Sequence, residues 1–172
     1  MKILSPNKSL FILATALVLF TASCGTVTTK TYTIDDVTMV AEGPLFDGSN
    51  TLQATVPIDL KKLESWATAE NVDKVTVKSI TLTTTDSIGF DRIRSVIFQV
   101  TADGAQMQQA AVLNPVPAGV SSITLNPALD ADLKELFKQN ALILVADADL
   151  NGDIDGNLEY KAKIEFEVSL KD

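Results

Sequence analysis

The chain reads as a mainly β protein, an antiparallel β-sandwich of immunoglobulin-like or related topology, with an antiparallel barrel as the next architecture. Three observations predict this. Between Leu158 and Leu170 the sequence alternates strictly: Tyr160, Ala162, Ile164, Phe166, Val168 and Leu170 fall on one face, and Lys161, Lys163, Glu165, Glu167 and Ser169 on the other. Strict period-two alternation describes a strand with one face in a core and one in water. About eight stretches of strand character recur at short spacing, joined by tight-turn sequences that favour antiparallel pairing. Only two segments carry helical spacing, so helices enter as short connectors.

The composition sets bounds on function. A chain of 172 residues with 46% hydrophobic and 21% charged residues is one ordinary globular domain. Its net charge is −8, and the first 23 residues hold two of the 14 basic groups and none of the 22 acidic ones, leaving −10 from Cys24 onward. This balance argues against nucleic acid as a partner, because its binding is driven by clustered Lys and Arg neutralising phosphates. There is no histidine and one cysteine, which removes Ser–His–Asp triads, Cys–His pairs, typical zinc sites and intrachain disulfides.

At the N-terminus, Lys2 and Lys8 precede an 11-residue apolar run from Leu10 to Phe20. That run is short of the roughly 20 residues a bilayer core requires and reads as a signal-peptide hydrophobic region. Thr21-Ala22-Ser23-Cys24-Gly25 follows. This stretch resembles the lipobox of bacterial lipoproteins, in which small residues precede a cysteine that is lipidated and becomes the mature N-terminus. Thr21 departs from the pattern, which prefers an aliphatic residue there. The resemblance covers residues 1–25 and implies a signal peptide at 1–23, lipidation at Cys24 and a bacterial cell-envelope address. Multiple acyl chains, palmitate among them, make such attachment stable. Gly25 in place of an aspartate points to the outer membrane, and the lack of an acidic run after Cys24 points to a periplasm-facing position. Residues 24–31 read as anchor and tether, in which seven extended residues reach only ~25 Å, and residues 32–172 as one sandwich domain.

Tyr32, Ile34, Val37 and Met39 mark a first strand ended by Gly43-Pro44, and Asp47-Gly48-Ser49-Asn50 is a turn. Thr51 to Ile58 is the second strand, with Leu52, Ala54 and Val56 on one face. Asp59 then reads as an N-cap for a ten-residue helix that buries Leu60, Leu63, Trp66 and Ala67. Val75 to Thr85 is β-branched and switches phase around Ser79, which predicts a bulge or a strand buried on both sides. Arg92 and Arg94, the only arginines, precede a strand from Ser95 to Ala102 with Val96, Phe98 and Val100 inward. Asp103-Gly104 turns the chain back through Gln106 to Leu113, and residues 114–119 are loop by composition. After a short strand at Ile123 and Leu125, Asn126-Pro127 reads as N-cap and first turn of a helix with the stripe Leu129, Leu133, Leu136 and Phe137, and Lys138 near its end.

Leu142 to Ala146 opens the last hairpin, whose turn is the one place where chemistry could sit. Asp147, Asp149, Asn151 and Gly152 occupy positions 1, 3, 5 and 6 of D-x-[DN]-x-[DN]-G-x5-E, with Asp153 and Asp155 at 7 and 9. Calcium takes six to eight oxygens, and this spacing can wrap them around one centre. Position 12 holds Leu158 in place of the bidentate glutamate, and both flanks are strands, so an EF-hand is excluded. The segment resembles the looser D-x-D-x-N-G calcium turns of extracellular folds, which implies a structural site with Kd of ~10⁻⁴–10⁻³ M. Asp, Asn and Gly are equally the residues of a solvated hairpin connection.

These features together predict a lipid-anchored, non-enzymatic binding or structural module of the envelope. Its expected partners are the membrane, through the N-terminal lipid, and an unidentified envelope protein. Calcium is the one cofactor the sequence admits. The alternatives are a carbohydrate-active enzyme using paired carboxylates and a calcium-stabilised adhesin-like module. For sugar stacking the mature chain offers only Trp66, Tyr32 and Tyr160 besides phenylalanines.

Overall fold

The computed structural model describes residues 26–85 and 89–172. Eight strands build it: β1 Val27–Ala41, β2 Gly48–Pro57, β3 Val72–Thr83, β4 Ile93–Thr101, β5 Gln108–Leu113, β6 Ser122–Pro127, β7 Ala141–Leu150 and β8 Leu158–Lys171. The one α-helix among the described residues, α1, is the single turn Lys134–Phe137.

All pairings are antiparallel, and the hydrogen bonding runs round a closed barrel in the order β1-β2-β7-β4-β5-β6-β3-β8. The mainly β, antiparallel class expected from the sequence is present, but the sheet closes on itself, whereas a sandwich leaves two separate sheets. Closure removes the exposed edges that an open sheet would carry. The order is that of an eight-stranded jelly roll, with two interlocked Greek keys. The wall is uneven. β1 pairs β8 from Val27↔Lys171 to Ala41↔Leu158, and β2 pairs β7 from Gly48↔Leu150 to Pro57↔Ala141. The seam between β1 and β2 is held at Val40↔Gln53 alone, and that between β5 and β6 at Ala111↔Pro127 and Val112↔Asn126.

Side chains fill the interior. From β8, Tyr160, Ala162, Ile164, Phe166, Val168 and Leu170, the face that the alternation marks, are all buried, as is Leu158. Val96, Phe98 and Val100 point inward from β4, as expected. The phase switch at Ser79 is a register shift of β3 against β8 between Val77 and Ser79; Val75 and Val77 precede it, and Ile80 and Leu82 follow it, all buried. Aromatic rings cluster at two levels. Phe137 packs edge-on against Tyr32 and Phe166, at centroid distances of 5.6 and 5.0 Å. Phe90 stacks on Tyr160 at 4.5 Å.

Strand direction defines two ends. One end carries the connections 42–47 and 114–121, residues 84–85 and 89–92, and the connection 151–157. The other carries 58–71, 102–107 and 128–140, together with Thr26 and Asp172, whose backbones meet at 3.4 Å. Several boundaries differ from the sequence reading. Residues 27–31, expected as tether, belong to β1, because Val27, Thr28, Thr29 and Thr31 are β-branched and have β8 to pair with. Only Gly25 and Thr26 therefore separate Cys24 from the barrel.

Both expected helices shrink. Asp59 does cap, accepting a hydrogen bond from Lys61 N at 3.2 Å, but it starts only a 3-10 turn, Leu60–Lys62. Leu60 and Ala67 reach the core, whereas Trp66 is 40% exposed. Two buried contacts do not sustain ten residues of helix, which draw their stability from a packed face. Asn126 and Pro127 belong to β6 instead of starting a helix. Proline is tolerated there because it ends a strand on the thin seam, where the ladder does not need its missing N–H. Leu129 is left 85% exposed, while Leu133, Leu136 and Phe137 plug the barrel end.

Phe166 offers the plainest test of this core. Phe166→Ala should lower the unfolding free energy by about 3–5 kcal/mol through lost burial and the cavity left behind. Phe46→Ala, at a site 63% exposed, should stay within about 0.5 kcal/mol. Urea denaturation of the two variants checks the difference.

Candidate functional site

The acidic turn lies at the end of the barrel remote from Thr26 and Asp172, and the structure divides its residues among separate tasks. β7 runs on to Leu150, so Asp147 and Asp149 stand on the outer face of a strand. Asp147 Oδ1 accepts a hydrogen bond from Thr51 Oγ1 on β2 at 2.7 Å. Asp149 is gripped by Arg94, with Nε 2.9 Å from Oδ2 and Nη2 2.8 Å from Oδ1. Arg94 Nη1 also lies 3.0 Å from Asp47 Oδ1. The position of Arg94 explains this reach. It is the extra residue of a bulge, since Ile93 pairs with Leu150 and Ser95 with Asp149, and bulges re-aim side chains.

The rest of the turn is docked on its neighbours. Asn151 donates through its backbone N–H to Arg92 O at 2.9 Å and through Nδ2 to Asp91 O at 3.0 Å. A Cβ on Gly152 would stand 3.1 Å from the Arg92 guanidinium. Asp153 Oδ1 accepts from Asp47 N at 2.9 Å. Leu45 and Ile154 exchange backbone hydrogen bonds of 2.8 and 2.9 Å. Asn157 Oδ1 accepts from Gly43 N at 3.0 Å, and Gly43 must be glycine because any Cβ would run into the Gly156 carbonyl. Asp155 is exposed.

Of the five oxygen-bearing residues expected around one calcium, Asp147, Asp149, Asn151 and Asp153 hydrogen-bond to neighbouring groups and Asp155 is exposed. Among the described residues, no group of three or more Asp, Glu, Cys or His side chains is arranged to hold a metal. The cation that the cluster holds is the guanidinium of Arg94. Its hydrogen bonds, and then its charge, lower the pKa of Asp149, while Asp149 raises that of Arg94.

Beside the turn, a shallow groove of about 380 Å³ is lined by Thr83, Thr84, Thr85, Asn157, Glu159 and Lys161. Its lining is hydroxyl, amide and one charge of each sign. Sequence reading missed both the groove and the Arg94 clamp. The signal available was the placement of both arginines of the chain at 92 and 94, beside the start of a strand in an acidic protein. Of the stacking candidates, Tyr32 and Tyr160 are 3% and 2% exposed. Each ring tip makes an internal hydrogen bond, Tyr32 Oη accepting from Asp59 N and Tyr160 Oη donating to Gly89 O. Trp66 sits at the opposite end of the barrel. Cys24 lies outside the described residues.

No family model matches the chain, and no curated protein matches it. Among solved structures, it is similar to a protein of infectious bursal disease virus, strain Gx, at 11% identity and TM-score 0.39. That match covers 84% of this chain but only 32% of the viral one. A protein of Mud crab tombus-like virus follows at 8% identity and TM-score 0.37, covering 86% of this chain and 89% of that one. Desmodium yellow mottle tymovirus gives 12% identity and TM-score 0.32 over 99% and 95%.

Two measurements probe the turn. The lowered pKa of Asp149 means that the pair stabilises the fold fully above the unfolded aspartate value of about 3.9 and loses that contribution as pH falls through the lower folded value. Asp149→Asn should therefore flatten the acid limb of a melting-temperature profile and leave its shape above pH 5 unchanged. Melting curves in millimolar calcium and in EGTA should coincide if Asp149 stays committed to Arg94; a rise in calcium would show a metal role for the turn.

Proposed function

We propose that the protein is a lipid-anchored, non-enzymatic module of a bacterial cell envelope. The observation that carries this reading is the placement of Cys24. It is the only cysteine, it follows an apolar run and three small or hydroxyl residues, and it stands three positions before the first barrel strand. Anchor and domain are then nearly continuous, and the barrel is held close against its membrane. The outer membrane, with the domain facing the periplasm, is the position that Gly25 and the lack of an acidic run after it favour.

A binding or scaffolding role fits the interior and the surface better than catalysis does. Thr84 is the only buried polar residue among those described, so the described carboxylates all reach solvent. A general acid with a raised pKa needs the opposite environment. The partner is an envelope protein, and the barrel end that carries Glu42, Asp47, Asp91, Asp153 and Asp155 is the one turned away from the anchor. We further read the barrel as a flattened sandwich, β1-β8-β3-β6 over β2-β7-β4-β5; its support is the thinness of the two seams that join those halves.

Cys24→Ser tests the anchor directly. The wild-type chain should partition into the detergent phase and incorporate a palmitate analogue, and the variant should do neither. A variant that still partitions with the envelope and takes up label would overturn the reading.

A further inference from the structure

Six large hydrophobic side chains stand exposed among the described residues: Val27, Phe46, Trp66, Ile97, Met107 and Leu129. Four of them, Val27, Trp66, Met107 and Leu129, lie at the barrel end that carries Thr26 and Asp172. Ile97 lies within β4, and Phe46 belongs to the acidic end. Single exposed apolar residues are ordinary, but their collection at one end of a barrel is a pattern with a physical meaning.

The connections at the terminal end contain four lysines, Lys61, Lys62, Lys134 and Lys138, among seven acidic residues, Asp59, Glu64, Glu70, Asp103, Asp130, Asp132 and Glu135, and the opposite end carries Arg92. Lys61 and Lys62 are exposed and belong to the same connection as Trp66. An amphipathic indole beside long basic side chains is the composition of a bilayer interface, where the ring sits at headgroup depth and the ammonium reaches phosphate.

Covalent geometry brings that surface to a bilayer. Three Cα–Cα steps separate Cys24 from Val27, and each spans 3.8 Å, so the first strand begins within about 11 Å of the lipidated residue. The headgroup region is of the same order of thickness as this reach. A domain held by so short a link cannot stand clear of the membrane, and the end it must turn toward the lipid is the one with the exposed apolar residues.

We propose that this end of the barrel is a second, peptide-borne membrane contact, with Trp66, Leu129, Met107 and Val27 seated in the headgroup region of a phospholipid bilayer. The inference rests on lipidation at Cys24. The lipid supplies the affinity and the apolar end sets the orientation, so that the acidic end projects away from the surface.

Trp66 is the only tryptophan in the chain and is therefore its own probe. The full-length lipidated protein is reconstituted on vesicles of phosphatidylethanolamine and phosphatidylglycerol, and flotation is scored alongside Trp66 fluorescence. Expected are a blue shift on vesicle binding, quenching by brominated acyl chains and loss of quenching by aqueous iodide. Moving the probe should preserve the effect at the same end and abolish it at the other. Trp66→Phe with Leu129→Trp should behave like wild type, and Trp66→Phe with Phe46→Trp should stay fully open to iodide. Protein that floats while Trp66 remains iodide-accessible and untouched by bromolipid overturns the contact and leaves the anchor standing. Protein that does not float overturns the anchor and the contact with it.

Discussion

Strand β8 is hydrogen-bonded along both edges, to β1 from Val27↔Lys171 to Ala41↔Leu158 and to β3 from Val72↔Leu170 to Thr83↔Lys161. The remaining architecture depends on that double engagement. Because the side-chain period of a strand is two, a slip of one residue would turn Tyr160, Ile164, Phe166 and Val168 outward and drive Lys161, Lys163, Glu165 and Glu167 into the core. The register of β8 against two partners is therefore fixed by burial. β1 and β3, once registered on it, carry β2 and β6 into place. Closure follows through the seams, which need few bonds of their own.

A closed wall leaves two ends to be sealed, and the chain seals them by different chemistry. At the terminal end, Leu60, Ala67, Leu133, Leu136 and Phe137 are apolar plugs carried by connections too short to be helices of consequence. At the other, Leu45, Phe90 and Ile154 supply a smaller apolar lid, and the polar turn around it is secured by Asn151, Asp153 and Asn157 bonding to backbone. The Arg94 clamp joins β4, β7 and the β1–β2 connection across the outside of that lid. Its energy is modest because the three groups meet solvent; its geometry fixes which loops lie side by side.

Strand existence was readable from the residues wherever alternation ran unbroken, as in β2, β4 and β8, and the bulge at Ser79 showed as a change of phase. Helix expectations failed at Trp66 and Leu129 for one reason. Apolar residues three or four apart fit one helical face, but they fit equally a loop that dips into a barrel mouth and out again. The acidic turn carries a similar coincidence. Alternate positions of a calcium loop are also alternate positions on a strand, so Asp147 and Asp149 satisfy both patterns. Choosing between them requires the register of β7 against β2 and β4, which no local pattern encodes. The same register places Arg94 on Asp149.

The meeting of Thr26 and Asp172 at one end of the barrel sets how the domain bears load. Tension between the N-terminus and a partner held at the acidic end pulls along the axis of β1. The hydrogen bonds from Val27↔Lys171 to Ala41↔Leu158 are then loaded together in shear, because they run perpendicular to the strand. Tension applied between the two termini would instead part β1 from β8 one bond at a time. The same fold is thus mechanically stiff along one direction and compliant along another, and the direction it resists runs along β1 from Thr26 to the far end of the barrel.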